Sequence, residues 1–87
     1  EGQGALIMVF KHWSQAIEEK LGPEHRFAGD INGSLANYYE TQKLFALAAR
    51  YRKKQLSIYE KSFGKESNDL YIPLLFLGED LLNQKKY

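Results

Sequence analysis

Hydrophobic positions recur every three or four residues along most of this chain, which is the spacing of a helix face. From Ala5 to Leu21 the face is Leu6, Val9, Phe10, Trp13, Ala16 and Ile17, and Gly22-Pro23 stops it. A second helix is predicted over Phe27 to Gln42, carrying Ile31, Leu35, Tyr38 and Tyr39. Gly29 and Gly33 inside it each cost about 1 kcal/mol relative to Ala. Leu44 to Phe63 has the strongest pattern: Leu44, Leu47, Ala48, Tyr51, Ile58, Tyr59 and Phe63. Its end at Gly64 predicts a left-handed residue just past the last turn. A fourth helix is predicted over Ser67 to Gln84, with Ser67 or Asn68 as N-cap and Leu70, Leu74, Leu77 and Leu81 as its stripe. Pro73 either marks its true first turn or kinks a longer helix. Periodicity alone also permits a short strand across "YIPLLFL", but an isolated strand in a helical chain has no partner.

Two loops share a phrase. "EKLGPEH" spans Glu19 to His25 and "EKSFGKE" spans Glu60 to Glu66. Sliding the chain by 42 residues superposes Lys11 on Lys53, Glu18 on Glu60, Gly22 on Gly64, Glu24 on Glu66, Leu35 on Leu77, Gln42 on Gln84 and Lys43 on Lys85. These identities are few, but most fall at helix ends. A fixed period of about 20 to 50 residues is the signature of a stacked helical repeat.

Length sets the scale of what such a chain can be. With 87 residues it holds one domain or part of one, without room for separate catalytic and substrate domains. A hydrophobic fraction of 44% with 26% charged residues is globular rather than disordered chemistry. The net charge of +1 gives no global field toward nucleic acid. With no cysteine there is neither a disulfide framework nor a thiolate metal site. The longest apolar run, Ala5 to Phe10, is far below the roughly 20 residues of a membrane span.

Catalytic constellations are thin. His12 and His25 lack the i, i+4 spacing of a helical metal pair. His25 suits loop and capping chemistry better, and Glu18, Glu19 and Glu60 read as solvated charges near helix ends. Ser14, Ser57 and Ser62 have no recognisable base nearby in sequence, and no phosphate-binding glycine loop is present. No enzymatic activity, metal or cofactor is expected. The basic stretch "RYRKK" places Arg50, Lys53 and Lys54 on one helix face, the best case here for nucleic acid. A solvated face or a contact to an acidic protein is the stronger reading of it.

The stretch "SLANYYETQKLFALAARYRKKQLSIYEKSFGKE", Ser34 to Glu66, resembles the long, 42-residue tetratricopeptide repeat of the kinesin light chain type. Leu35, Ala36 and Tyr39 match that repeat's first helix, which reads Leu-Ala-x-x-Tyr. Gln42, Phe45 and Ala48 match its turn and second helix. Leu56, Ile58, Glu60, Lys61, Phe63 and Gly64 match its ending. "LGPEH", Leu21 to His25, resembles the same ending one repeat earlier, and Leu77, Gly78, Leu81, Gln84 and Tyr87 resemble the opening helix of the next repeat. Three departures stand out: Lys43 and Lys85 where a turn glycine is usual, Arg52 where an aromatic is usual, and Gln55 in place of a small alanine.

The resemblance implies an all-α fold of antiparallel helix pairs stacked as an alpha-alpha superhelix. Residues 1–87 then form a single segment of a longer array. Residues 5–21 are a second helix, 27–63 a complete helix pair, and 67–84 the first helix of the following repeat. It implies a non-catalytic, cytoplasmic module that binds a peptide or partner subunit as scaffold or adaptor and can assemble into a larger complex. A regulatory region of a larger enzyme or signalling protein is the alternative. Because the first helix of each pair lines the groove in this family, the binding residues it implies are Asp30, Asn37, Glu40, Thr41, Glu79 and Asn83. Asparagine amides donate to and accept from a peptide backbone, and the two glutamates suit a basic ligand side chain. A carboxylate clamp is not expected, since Gly33, Ile72 and Phe76 occupy its basic positions.

Overall fold

In a computed structural model, which describes residues 2–22 and 24–86, the chain forms four α-helices and one 3-10 turn. They are α1 (Gly2–Leu21), α2 (Arg26–Thr41), α3 (Phe45–Phe63), the 3-10 turn Asn68–Leu70, and α4 (Tyr71–Lys86). The fold is all-α, and the described residues contain no strand: "YIPLLFL" lies entirely in α4. Pro23 and Tyr87, which carry part of the repeat pattern, lie outside the described residues.

Each helix packs on its neighbour in sequence, α1 on α2, α2 on α3 and α3 on α4. The Cα trace fills a slab of 37 × 36 × 13 Å. Four helices of about 24–30 Å, set side by side at 8–10 Å, give those two long dimensions in a single layer. The centre of the layer is α2. Ile31, Leu35 and Tyr39 from α2 join Ala48 from α3, and Ile7, Phe10 and Ile17 of α1 close over them with Tyr51. The Tyr39 and Tyr51 rings stack at 5.5 Å with their planes 16° apart.

A single layer cannot cover the outer helices. Of the stripe expected on α1, Phe10 and Ile17 pack inward, whereas Leu6, Val9 and Trp13 remain exposed. On the fourth helix Leu70 is buried and Leu77 half-buried, but Leu74 and Leu81 face solvent.

The helix ends follow local chemistry. His25 caps α2, its Nδ1 accepting from the Phe27 amide at 3.2 Å. Ser67 caps the 3-10 turn by accepting from the Asp69 amide at 3.1 Å. The fourth helix therefore starts tighter than predicted, and Pro73 sits buried at its third α-helical residue. There, in the first turn, a missing amide proton is tolerated. Gly64 ends α3 with φ +98°, ψ 156°. Its φ is positive, as is that of Gly22, but its ψ is extended and corrects the left-handed helical conformation expected. Lys43, in the α2–α3 turn, has φ +60°. That is the left-handed region in which a turn glycine costs nothing and a lysine is strained.

The turn supplies a direct test. Lys43→Gly is expected to stabilise the protein by roughly 0.5–1 kcal/mol, the strain relieved less the added freedom of glycine in the unfolded chain. A rise of a few degrees in Tm by circular dichroism would show it; a fall would mean that the lysine side chain stabilises the turn by more than its backbone costs.

Candidate protein-binding face

The polar seam between α2, α3 and α4 starts from two glycines. Gly29 and Gly33 stand one turn apart on α2, where α3 side chains lie directly on its backbone. A Cβ at Gly29 would stand 2.6 Å from the Tyr59 ring, and one at Gly33 would stand 2.2 Å from the Gln55 amide. The large Gln55 is thus accommodated by the missing side chain opposite. Beside them the Tyr59 hydroxyl donates to Asp30 Oδ1. Burial, then this hydrogen bond, pushes the Tyr59 hydroxyl up to about 12.

One turn further along α3 lies Arg52, only 3% exposed. Its Nη1 donates to the Gly33 carbonyl at 3.4 Å and to Gln55 Oε1 at 3.1 Å. Its Nη2 donates to Asn37 Oδ1 at 2.6 Å and to Glu40 Oε2 at 3.1 Å. From α4, the Phe76 ring lies 4.8 Å from the guanidinium carbon. This is a cation–π contact made stronger by the exclusion of water. The guanidinium thus ties three helices together.

A second α4 residue completes the cluster. Asp80 is 1% exposed, and its Oδ2 is buried without a hydrogen-bond partner in the protein. Burial pushes its carboxyl up to about 7, and the hydrogen bond and charge of Glu40 push the same way. Arg52 pulls it down and Glu79 raises it further. Near neutrality Asp80 therefore exists as both acid and carboxylate.

The six residues expected to bind a partner divide. Asn37 and Glu40 are gathered around Arg52, and Glu79, exposed on α4, acts on the same cluster through its charge on Asp80. Asp30 is exposed at the Tyr59 end of the seam. Thr41 is also exposed and donates to the Tyr38 carbonyl at 2.6 Å, finishing its own helix. Asn83 is half-buried on α4. Two charged residues of the cluster are missed from sequence: Arg52, because a charge inside "RYRKK" reads as solvated, and Asp80, whose burial depends on how α4 packs. Arg50, Lys53 and Lys54 are indeed exposed, and Lys54 Nζ stands 5.2 Å over the Tyr51 ring. His12 is exposed, and the described residues contain no cluster of three or more His, Cys, Asp or Glu able to hold a metal. None of their helices is long and apolar enough to cross a membrane.

Two substitutions probe the seam. Arg52→Met removes the charge facing two carboxylates and is expected to cost roughly 3–5 kcal/mol, read by urea denaturation. Asp80→Asn tests the raised acid. An acid whose folded value of about 7 lies above its unfolded 3.8 stabilises the fold fully below the unfolded value, and that contribution is lost as pH rises toward 7. The stability of the variant relative to the parent should therefore climb between pH 4 and 7, by roughly 2–4 kcal/mol in total. A difference independent of pH would place the proton elsewhere.

No family model, no curated protein and no solved structure matches this chain.

Proposed function

We propose that the protein is a non-catalytic protein-interaction module, a tetratricopeptide-type scaffold or adaptor of the kinesin light chain type that holds a peptide or partner subunit along α2 and α4. The single observation that carries this reading is the fixing of α2 polar groups by α3 before any ligand arrives. Tyr59 holds Asp30, and Arg52 holds Asn37 and Glu40, while Asp30 and Asn37 stay solvent-exposed. Side chains already ordered lose little entropy on binding, which is the physical advantage of a preformed recognition surface. With Asp30, Glu40 and Glu79 along this edge and one guanidinium already neutralised inside it, the ligand it suits is a peptide with basic side chains.

Basic peptides are the ligand to test. Binding of an arrayed library of acidic, neutral and basic peptides should select the basic members, and Glu79→Gln combined with Asn83→Ala should weaken the selected ones at least tenfold. These two positions avoid direct contact with Arg52, so a far-UV spectrum unchanged from the parent is expected. Lys53→Glu/Lys54→Glu should leave the same peptides bound. Loss of binding in the lysine variant alone would move the site to the basic face, and oligonucleotide binding that falls steeply with salt would replace a protein partner by nucleic acid.

A further inference from the structure

Two side-chain pairs outside the polar seam repeat one motif. α1 carries Lys11 and Ser14, and α3 carries Lys54 and Ser57, a Lys-x-x-Ser pair in each helix. Residues three apart share a helix face, and both pairs line a single cleft of about 580 Å³ whose walls are α1 and α3. The buried Asn32 and Leu35 of α2 form its floor. Among the described residues, neither lysine is ion-paired and neither serine hydroxyl is hydrogen-bonded. Elsewhere the cations are engaged: Arg52 is ringed by acceptors, and Lys61 is held by Glu24 at 3.0 Å. Lys54 is positioned without being neutralised, its Nζ standing 5.2 Å over the Tyr51 ring.

Four uncommitted donors on two facing walls call for an acceptor with more oxygens and more charge than a carboxylate has. A phosphate monoester supplies three terminal oxygens and a charge of about −1.5 to −2 at pH 7, which matches two ammonium groups and two hydroxyls. Asn32 indicates what carries that phosphate. It is only 9% exposed and donates through Nδ2 to the Ala28 carbonyl at 2.8 Å, which leaves Oδ1 as an acceptor. An acceptor at the floor repels a free anion and suits the N–H of a peptide. Phosphate and backbone N–H must then fit one cleft, which a short phosphorylated side chain allows.

A nucleic-acid strand fits less well. Tyr51 is the aromatic side chain in the lining, and Tyr39 stacks on its ring while Lys54 covers it, so no face is left for a base. Glu18 also lines the cleft, about 10 Å along α1 from Lys11, so a second phosphate in line would meet a carboxylate.

We propose that this cleft binds one phosphoserine or phosphothreonine side chain of a partner peptide, with the phosphate shared between Lys11–Ser14 and Lys54–Ser57 and a ligand backbone amide donating to Asn32 Oδ1. The cleft shares no residue with the α2–α4 edge proposed for basic peptides, so neither reading rests on the other.

Fluorescence anisotropy of a capped, labelled peptide with one phosphoserine among alanines tests it. That peptide should bind about tenfold or more tightly than its serine and glutamate counterparts. Lys11→Met/Lys54→Met should weaken binding by about tenfold or more, Ser14→Ala/Ser57→Ala by roughly three- to tenfold, and Glu18→Gln should strengthen it. Lys20→Met/Lys65→Met removes the same charge outside the cleft and should change affinity by less than about twofold. Of these positions only Ser14 is half-buried and the others are exposed, so helicity by circular dichroism should be retained. Should a double variant lose it, the single substitutions Lys11→Gln and Lys54→Gln serve instead, each expected to weaken binding by roughly threefold or more. Inorganic phosphate should displace the peptide only at concentrations about tenfold or more above those of unlabelled phosphopeptide. Absence of binding up to about 1 mM phosphopeptide would overturn the proposal. So would glutamate peptide binding equally well, inorganic phosphate or a single-stranded oligonucleotide competing equally well, or an equal loss in Lys20→Met/Lys65→Met.

Discussion

A guanidinium out of water is the constraint around which this chain is arranged. Arg52 cannot shed its charge and offers five donors in a rigid fork, so every helix that closes over it must supply an acceptor or a π face. α2 supplies the Gly33 carbonyl, Asn37 and Glu40; α3 supplies its own Gln55; α4 supplies Phe76. Its Nε still has no hydrogen-bond partner. Such a centre adds little net stability over an apolar one, because desolvation offsets much of the attraction. Its directional bonds instead select one alignment of three helices, where apolar side chains alone would tolerate several.

The same geometry explains what the chain discloses in its letters and what it withholds. Helices and their stops are local, encoded by period and by Gly22, Gly64 and Ser67, and their ends fall within a few residues of expectation. Burial depends on which neighbours exist. Trp13 and Leu74 carry the same period as Ile17 and Leu70, and only the number of layers decides that the first pair faces solvent. The inward turn of Arg52 is likewise non-local. One clue was present: Gly29 and Gly33 stand on one face of a helix they weaken, a sign that something bulky passes close by. Gln55 and Arg52, the two departures from the repeat pattern in α3, are the side chains that fill and border that space.

Layer geometry also grades the molecule from its middle outward. Residues of α2 are covered on both flanks, so its core positions Ile31, Leu35 and Ala36 open only with the whole fold. α1 rests chiefly on α2 through Ile7, Phe10 and Ile17. With one flank to hold it, α1 sits at the low end of local stability. α4 is better secured despite its exposed leucines, since Phe76 and Asp80 reach into the Arg52 seam and Leu70 and Pro73 are buried at its start.

The fit of Gln55 into the space above Gly33 has an evolutionary consequence. Neither residue is free to drift alone, because any side chain at position 33 meets an occupied volume and a shorter one at position 55 uncovers buried backbone. What persists through descent is then the sum of the two volumes rather than either identity. Related sequences should show this pair changing together, small-with-large or large-with-small, with intermediates passing through a destabilised chain.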